Sequence, residues 1–122
     1  MAVTHSAATR NAIADAVLAE IDIDVGAGNL IFQTSGAVEV ATLVLTDPAG
    51  SVTAEVLTFS AIADDTSATG GIVDRFIIES NSTGTRLLGA VGTSGSDINL
   101  SSLTVGVGDT VSISSLTYTA PV

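Results

Sequence analysis

The chain of 122 residues has no cysteine. Disulfides, zinc–thiolate sites and cysteine nucleophiles are therefore excluded. Lysine is also absent, which rules out a Walker A phosphate loop. The basic residues are three arginines, Arg10, Arg75 and Arg86, against 13 acids, for a net charge of −10. A surface this acidic has no basic patch with which to grip phosphates, so no direct nucleic-acid partner is expected. An anionic membrane surface is disfavoured on the same ground. Tryptophan is absent and prolines number two. The longest apolar stretch, Ala41–Leu45, is about five residues long and is broken by Thr42, far short of the ~18 that a spanning helix needs. The opening MAVTHSAATR has neither the cationic start nor the apolar stretch of a signal peptide, so the protein is expected to fold in the compartment where it is made.

What the chain does have is a high mean hydropathy of +0.58 and 30 serines and threonines. That hydropathy argues against disorder. The length suits a single domain that buries enough surface to fold without a covalent staple.

Residues 6–21 are rich in alanine and free of glycine and proline. Ile13, Val17 and Ile21 recur at helical spacing beside Ala16, with Asn11 and Asp15 on another face. Together with Ser6 as N-cap they predict one amphipathic helix. Glu20, Asp22 and Asp24 crowd its C-terminal end, where the helix dipole disfavours negative charge. They are either solvated or paired with an outside cation. Gly26, Gly28 and Asn29 end the helix.

Beyond that point short Val/Ile/Leu/Thr/Phe stretches alternate with Gly/Ser/Asp/Asn clusters. They predict strands over Leu30–Thr34, Ala37–Thr46, Val52–Phe59, Ile72–Ser80, Thr85–Val91, Asp97–Leu100 and Thr110–Thr119. The last has an apolar phase that breaks between Val111/Ile113 and Leu116/Tyr118. Either a bulge near Ser114-Ser115 resets the phase, or both faces are partly buried. The expected fold is mainly β: a single antiparallel β-sandwich or jelly-roll-like domain with one N-terminal amphipathic helix. It divides into an arm (1–5), a helix (6–21) and a sandwich (28–122). No lysine and no well-placed proline guard the strand edges, so the edges are expected to be covered by association.

Chemistry is sparse. The one histidine, His5, stands near the start and reads as an ordinary tail residue, since no nucleophile-elbow sequence supports a Ser–His–Asp triad. Gly26-Ala27-Gly28 reads as a helix stop and turn. Asp22 and Asp24 alternate before Gly26 and are candidate calcium ligands. An EF-hand counted from Asp22 would want glutamate where Gln33 stands, however, and solvated carboxylates are the preferred reading. Asp64-Asp65 is a second acidic pair of the same kind. Phe32, Phe59, Phe76 and Tyr118 lie in strand patterns and read as core rather than sugar platforms. Asn81-Ser82-Thr83 and Asn99-Leu100-Ser101 match the glycosylation sequon, which has no meaning without secretion. Arg75 and Arg86 are each expected on a carboxylate, within the fold or across a contact. No enzyme and no cofactor are expected.

Three stretches carry a resemblance: AVTHSAATRNAIADAV (Ala2–Val17), DDTSATGGIVDRF (Asp64–Phe76) and GTSGSDINLSSLTVGVGDTVSISSLTYTAP (Gly92–Pro121). They resemble small virion structural proteins of tailed bacteriophages, and the resemblance suggests a minor head protein of the kind called capsid decoration or cement proteins. The resemblance implies a protein on the outside of the phage head, often a homotrimer, that binds the major capsid protein and braces the shell against packaged DNA. On that reading Ala2, Val3, Thr4, His5 and Arg10, in the arm and first helical turns, are the candidate interface to a neighbour. The alternative is that the helix merely covers one face of the sheet. A tail, neck or fibre component is the second expectation, and a carbohydrate- or calcium-binding surface module the third.

Overall fold

A computed structural model describes residues 3–24, 26–81, 84–113 and 115–120. The helix α1 spans Ala7–Ile21, and Ser6 caps it in extended conformation, its hydroxyl accepting from the Thr9 N–H at 3.3 Å. Among the described residues ten strands follow: β1 Asn29–Gln33, β2 Glu39–Val44, β3 Gly50–Thr53, β4 Val56–Phe59, β5 Gly71–Ile72, β6 Arg75–Glu79, β7 Thr85–Gly92, β8 Ile98–Asn99, β9 Thr104–Val105 and β10 Thr117–Thr119. They form a five-stranded sheet in the order β2-β1-β6-β7-β8, a three-stranded sheet β10-β4-β3 and a ribbon β5-β9. All described pairings are antiparallel except β7–β8, which is parallel. The architecture is the expected one: mainly β, sandwich-like, with one helix.

Register explains the core. In an antiparallel pair, directly opposed residues share a face. One cross-strand row of the large sheet reads Leu43–Leu30–Ile78–Leu87, and the next reads Ala41–Phe32–Phe76–Gly89. Of these residues Leu30, Phe32, Ala41, Leu43, Phe76 and Ile78 are buried in the main core, where Leu57 and Phe59 of the small sheet and Ala14 and Ile21 of α1 join them. That single cluster runs from Ala14 to Ala120. Gly89 lacks the side chain that would meet the ring of Phe76, so the ring lies across β7.

The helix packs on β3, β4 and β7 and is tied to the β3–β4 hairpin at two levels. Near its start, Asn11 Oδ1 accepts from the Glu55 N–H at 2.8 Å. At its end, the Asp22 carboxylate accepts from the Ala49 N–H at 3.0 Å. Its buried side therefore runs through Ala14 and Ile21, with Ile13, Val17 and Leu18 partly buried. Two expectations about that face are corrected: Ala16 is exposed, and Asn11 is half-buried on the packed side. Asn11 belongs there because its amide satisfies a turn N–H, which hydropathy does not register.

Three predicted strands are also corrected. Val52–Phe59 is not one strand: the chain reverses at Ala54-Glu55, pairing Thr53 with Val56. Ile72–Ser80 breaks at Val73-Asp74, where the Val73 N–H turns to Leu103 O and the Asp74 N–H to Gln33 O. Thr110–Thr119 serves two partners: Val111 bridges Asp65, and only Thr117–Thr119 pairs with β4. The proposed bulge cannot be placed, because Ser114 lies outside the described residues. Strand β9 was not predicted.

Association is not what covers the β2 edge. Its outward Val44 O and Val40 O accept from the Ala63 and Gly70 N–H groups, and its Thr42 N–H donates to Asp65 Oδ2 at 2.9 Å. The segment 61–70 of the same chain lies along it. Among the described residues no helix is long and apolar enough to cross a membrane.

Candidate functional site

The predicted interface residues fall into two groups. Val3, Thr4 and His5 are exposed and non-helical, leading into α1. Ala2 lies outside the described residues. Arg10 turns inward: its Nε and Nη2 donate to Ala120 O at 3.3 and 3.0 Å. The Ala120 N–H in turn donates to Glu55 O at 3.1 Å. Arg10 thus joins the helix start, the β3–β4 turn and the end of β10.

The acids at the helix end find partners inside the fold. Glu20 pairs with Arg86 at 3.3 Å. Asp22 holds the Ala49 N–H, and its carboxyl is pushed above the usual carboxylate range. Burial is the main cause, the Ala49 N–H works against it, and the nearby Asp47 charge adds to it. Asp24 is half-buried. No three His, Cys, Asp or Glu side chains gather as a metal site among the described residues. Asp65 of the second acidic pair is engaged by the Thr42 and Ser67 N–H groups, both at 2.9 Å. Of the two scarce arginines expected on carboxylates, Arg86 meets Glu20. Arg75 instead donates to the amide oxygen of Gln33 at 3.0 Å. Ser82 and Thr83 of the first sequon lie outside the described residues, and Asn99 is exposed on β8.

Two hollows were not foreseen. One, of about 470 Å³, lies among the residues from Ile98 to Ser115 and is lined by Asn99, Ser101, Ser102, Thr104, Asp109 and Ser112 with apolar neighbours. The other, of about 180 Å³, opens between β10 and the β6–β7 pair and is lined by Phe59, Phe76, Leu87, Leu88, Leu116 and Tyr118 among others. Of the four aromatics three line the second hollow, and Phe32 is fully buried. Neither hollow could be read from sequence, because each is walled by segments that meet only in the folded chain.

The outer face of the large sheet was also missed. It carries the row Thr42–Ile31–Ile77–Leu88. Ile77 is 8 % exposed yet is no part of the main core cluster. The signal was present in the runs Phe76-Ile77-Ile78 and Leu87-Leu88, where apolar residues occupy both phases of a strand. No protein-family model matches the chain, and no curated protein or solved structure matches it significantly.

Proposed function

We propose that the chain is a non-enzymatic structural protein of a tailed-phage virion, made in the host cytoplasm. In this reading it is a decoration or cement protein that binds the outside of the head, bridges subunits of the major capsid protein and self-associates, as a trimer in the commonest arrangement. The resemblance of residues 2–17, 64–76 and 92–121 motivates it. The structural observation that carries it is the mounting of the arm. Residues 3–5 are exposed directly before a helix whose first turns are fixed to the body by Arg10 and Asn11. A short segment on a rigid mount can reach a neighbour without loosening the fold. The contacts of α1 with β3 and β4 leave the helix itself a covering role. Many copies on one shell add avidity, so each contact can be weak. A strongly negative outer surface keeps particles apart.

Immunogold labelling of particles with antibody to this chain tests the reading. Label spread over heads is the expected result, with heads that lack the protein breaking at lower temperature. Deleting residues 2–5 should then reduce particle binding. Label at one vertex or on the tail, at a dozen copies or fewer, would transfer the protein to the neck or tail.

One observation favours a second reading, a glycan-binding module: the hydroxyl-rich hollow among residues 98–115 could hydrogen-bond a sugar. It ranks second because the hollow's lining contains no aromatic ring on which a sugar would stack. Retention on immobilised glycans, lost on Ser102→Leu, would promote it.

A further inference from the structure

The outer face of the large sheet has an apolar centre that is flanked along β6 by opposite charges. Counted across the strands, its central row is Thr42–Ile31–Ile77–Leu88. On one side lies a row through Glu39, Gln33, Arg75 and Ala90, in which the Glu39 carboxylate accepts from the Thr42 and Thr69 hydroxyls, and on the other a row through Val44, Asn29 and Glu79. Leu88 is 61 % and Val44 48 % exposed, whereas Ile77 between its neighbours is almost covered. Among the described residues Ile31 and Ile77 have no place in the main core cluster or the partly buried shell around it. These side chains belong to the opposite side of the sheet.

Arg75 and Glu79 sit on the same strand, two residues to either side of Ile77. Each is therefore about 6.6 Å from it along the strand. Consider a second copy laid face to face by a two-fold axis running along the central row. Ile77 then stacks on Ile77, and Arg75 of each copy stands opposite Glu79 of the other. A two-fold axis along the strand would instead oppose arginine to arginine and glutamate to glutamate. The charge order on β6 thus selects one pairing geometry. Face-to-face sheets pack about 10 Å apart, a gap that the long Arg and Glu side chains span together.

We propose that this face binds a second copy of the chain through that two-fold contact, with the Ile31–Ile77–Leu88 row at its centre and two Arg75–Glu79 pairs at its rim. The proposal goes beyond the trimer of the functional reading and adds a separate two-fold self-contact with a named surface. A two-fold contact is self-complementary and closes on itself, so it joins copies in pairs and is distinct from any three-fold contact. The patch is four strands wide and about five residues long, below the roughly 800 Å² per partner of a standard stable interface. The contact is accordingly reversible, at micromolar to millimolar concentration, and gains strength where copies are crowded on a surface.

Sedimentation equilibrium of the purified chain over a concentration series up to about 1 mM tests it. The expected result is a monomer–dimer equilibrium. Arg75→Glu and Glu79→Arg should each weaken it at least about tenfold by placing like charges opposite one another. An equal mixture of the two variants should recover association to about the wild-type level, because each supplies the charges the other lacks. Leu88→Glu, at an exposed position, should weaken pairing without loss of thermal stability. A wild-type chain that is monomeric throughout, or a dimer indifferent to all three substitutions, would overturn the proposal. The measurement uses the isolated chain alone, so failure of the particle-labelling experiment leaves it intact, and the reverse holds too.

Discussion

Asp22 is where helix, hairpin and charge meet. It is the C-cap of α1 through its backbone N–H, and its carboxylate accepts from the Ala49 N–H and lies near Asp47. Burial, opposed by that N–H and aided by Asp47, raises its pKa. A raised carboxyl pKa means that the folded state holds its proton more tightly than the unfolded chain. The stability it contributes is present below the ordinary carboxylate pKa and is lost as pH rises through the raised folded value. Asp22→Asn keeps an oxygen for Ala49 and removes a charge from the negative end of the helix. At pH 7 it should stabilise the protein by ~0.5 kcal/mol. At acid pH the two proteins should converge, as urea titrations at both pH values would show. Asp22→Ala strands the N–H of buried Ala49 and should cost ~1–2 kcal/mol. A more stable Ala variant would refute the bond's role. The crowding of Glu20, Asp22 and Asp24 was legible in sequence, but its resolution was not. The partners Arg86 and Ala49 lie 66 and 27 positions away.

At the scale of elements, the β3–β4 turn shows why boundaries failed. A two-residue hairpin loop favours Asn-Gly or Asp-Gly because both residues take positive φ. Here Ala54 and Glu55 do so, at 50° and 67°. Nothing in Val52–Phe59 announces a reversal, so the segment reads as one strand. The turn is held from outside, by Asn11 on the Glu55 N–H and by the Ala120 N–H on Glu55 O. Replacing the pair by Asn-Gly should remove the side-chain penalty and stabilise the protein by about 1 kcal/mol. The urea midpoint should rise with an unchanged slope, and a lower midpoint would show that the Ala-Glu side chains contribute something the backbone geometry does not reveal. The helix was better marked, because Ser6, the alanine run and Gly26 are local signals, each acting on its own near neighbours. Strand β9 has two residues, too few for alternation to register, whereas the equally short β8 falls within the predicted Asp97–Leu100.

For the whole molecule, the β2 edge of the large sheet is guarded from within the chain. Segment 61–70 covers β2, and Asp65 is its central fastening, bonded to Thr42 and Ser67 while its own backbone bridges Val111. Asp65→Ala should cost ~1–2 kcal/mol and bare part of the β2 edge. Thermal scans would show the loss, and faster thioflavin-positive aggregation near the transition would show the bared edge. Unchanged aggregation with lowered stability would mean that the edge is guarded by the remaining bonds of Ala63 and Gly70. This edge is closed by the chain itself, and the surface we propose for association is the outer sheet face.

By itself, the sequence determined the class of the molecule. Missing cysteine and lysine excluded thiol and phosphate-loop chemistry, the alternation of apolar and turn residues set a β-rich body, and Ser6 to Gly26 delimited the helix. These are properties of composition and of neighbours a few residues apart. The tertiary structure alone decided what each charge and edge does. It sent Arg10 inward to Ala120, set Asp22 on Ala49, turned the chain at Ala54-Glu55, laid segment 61–70 along β2 and gathered Ile31, Ile77 and Leu88 between Arg75 and Glu79. Each of these depends on strand order and register, and those follow from which long-range pairings bury the apolar residues together.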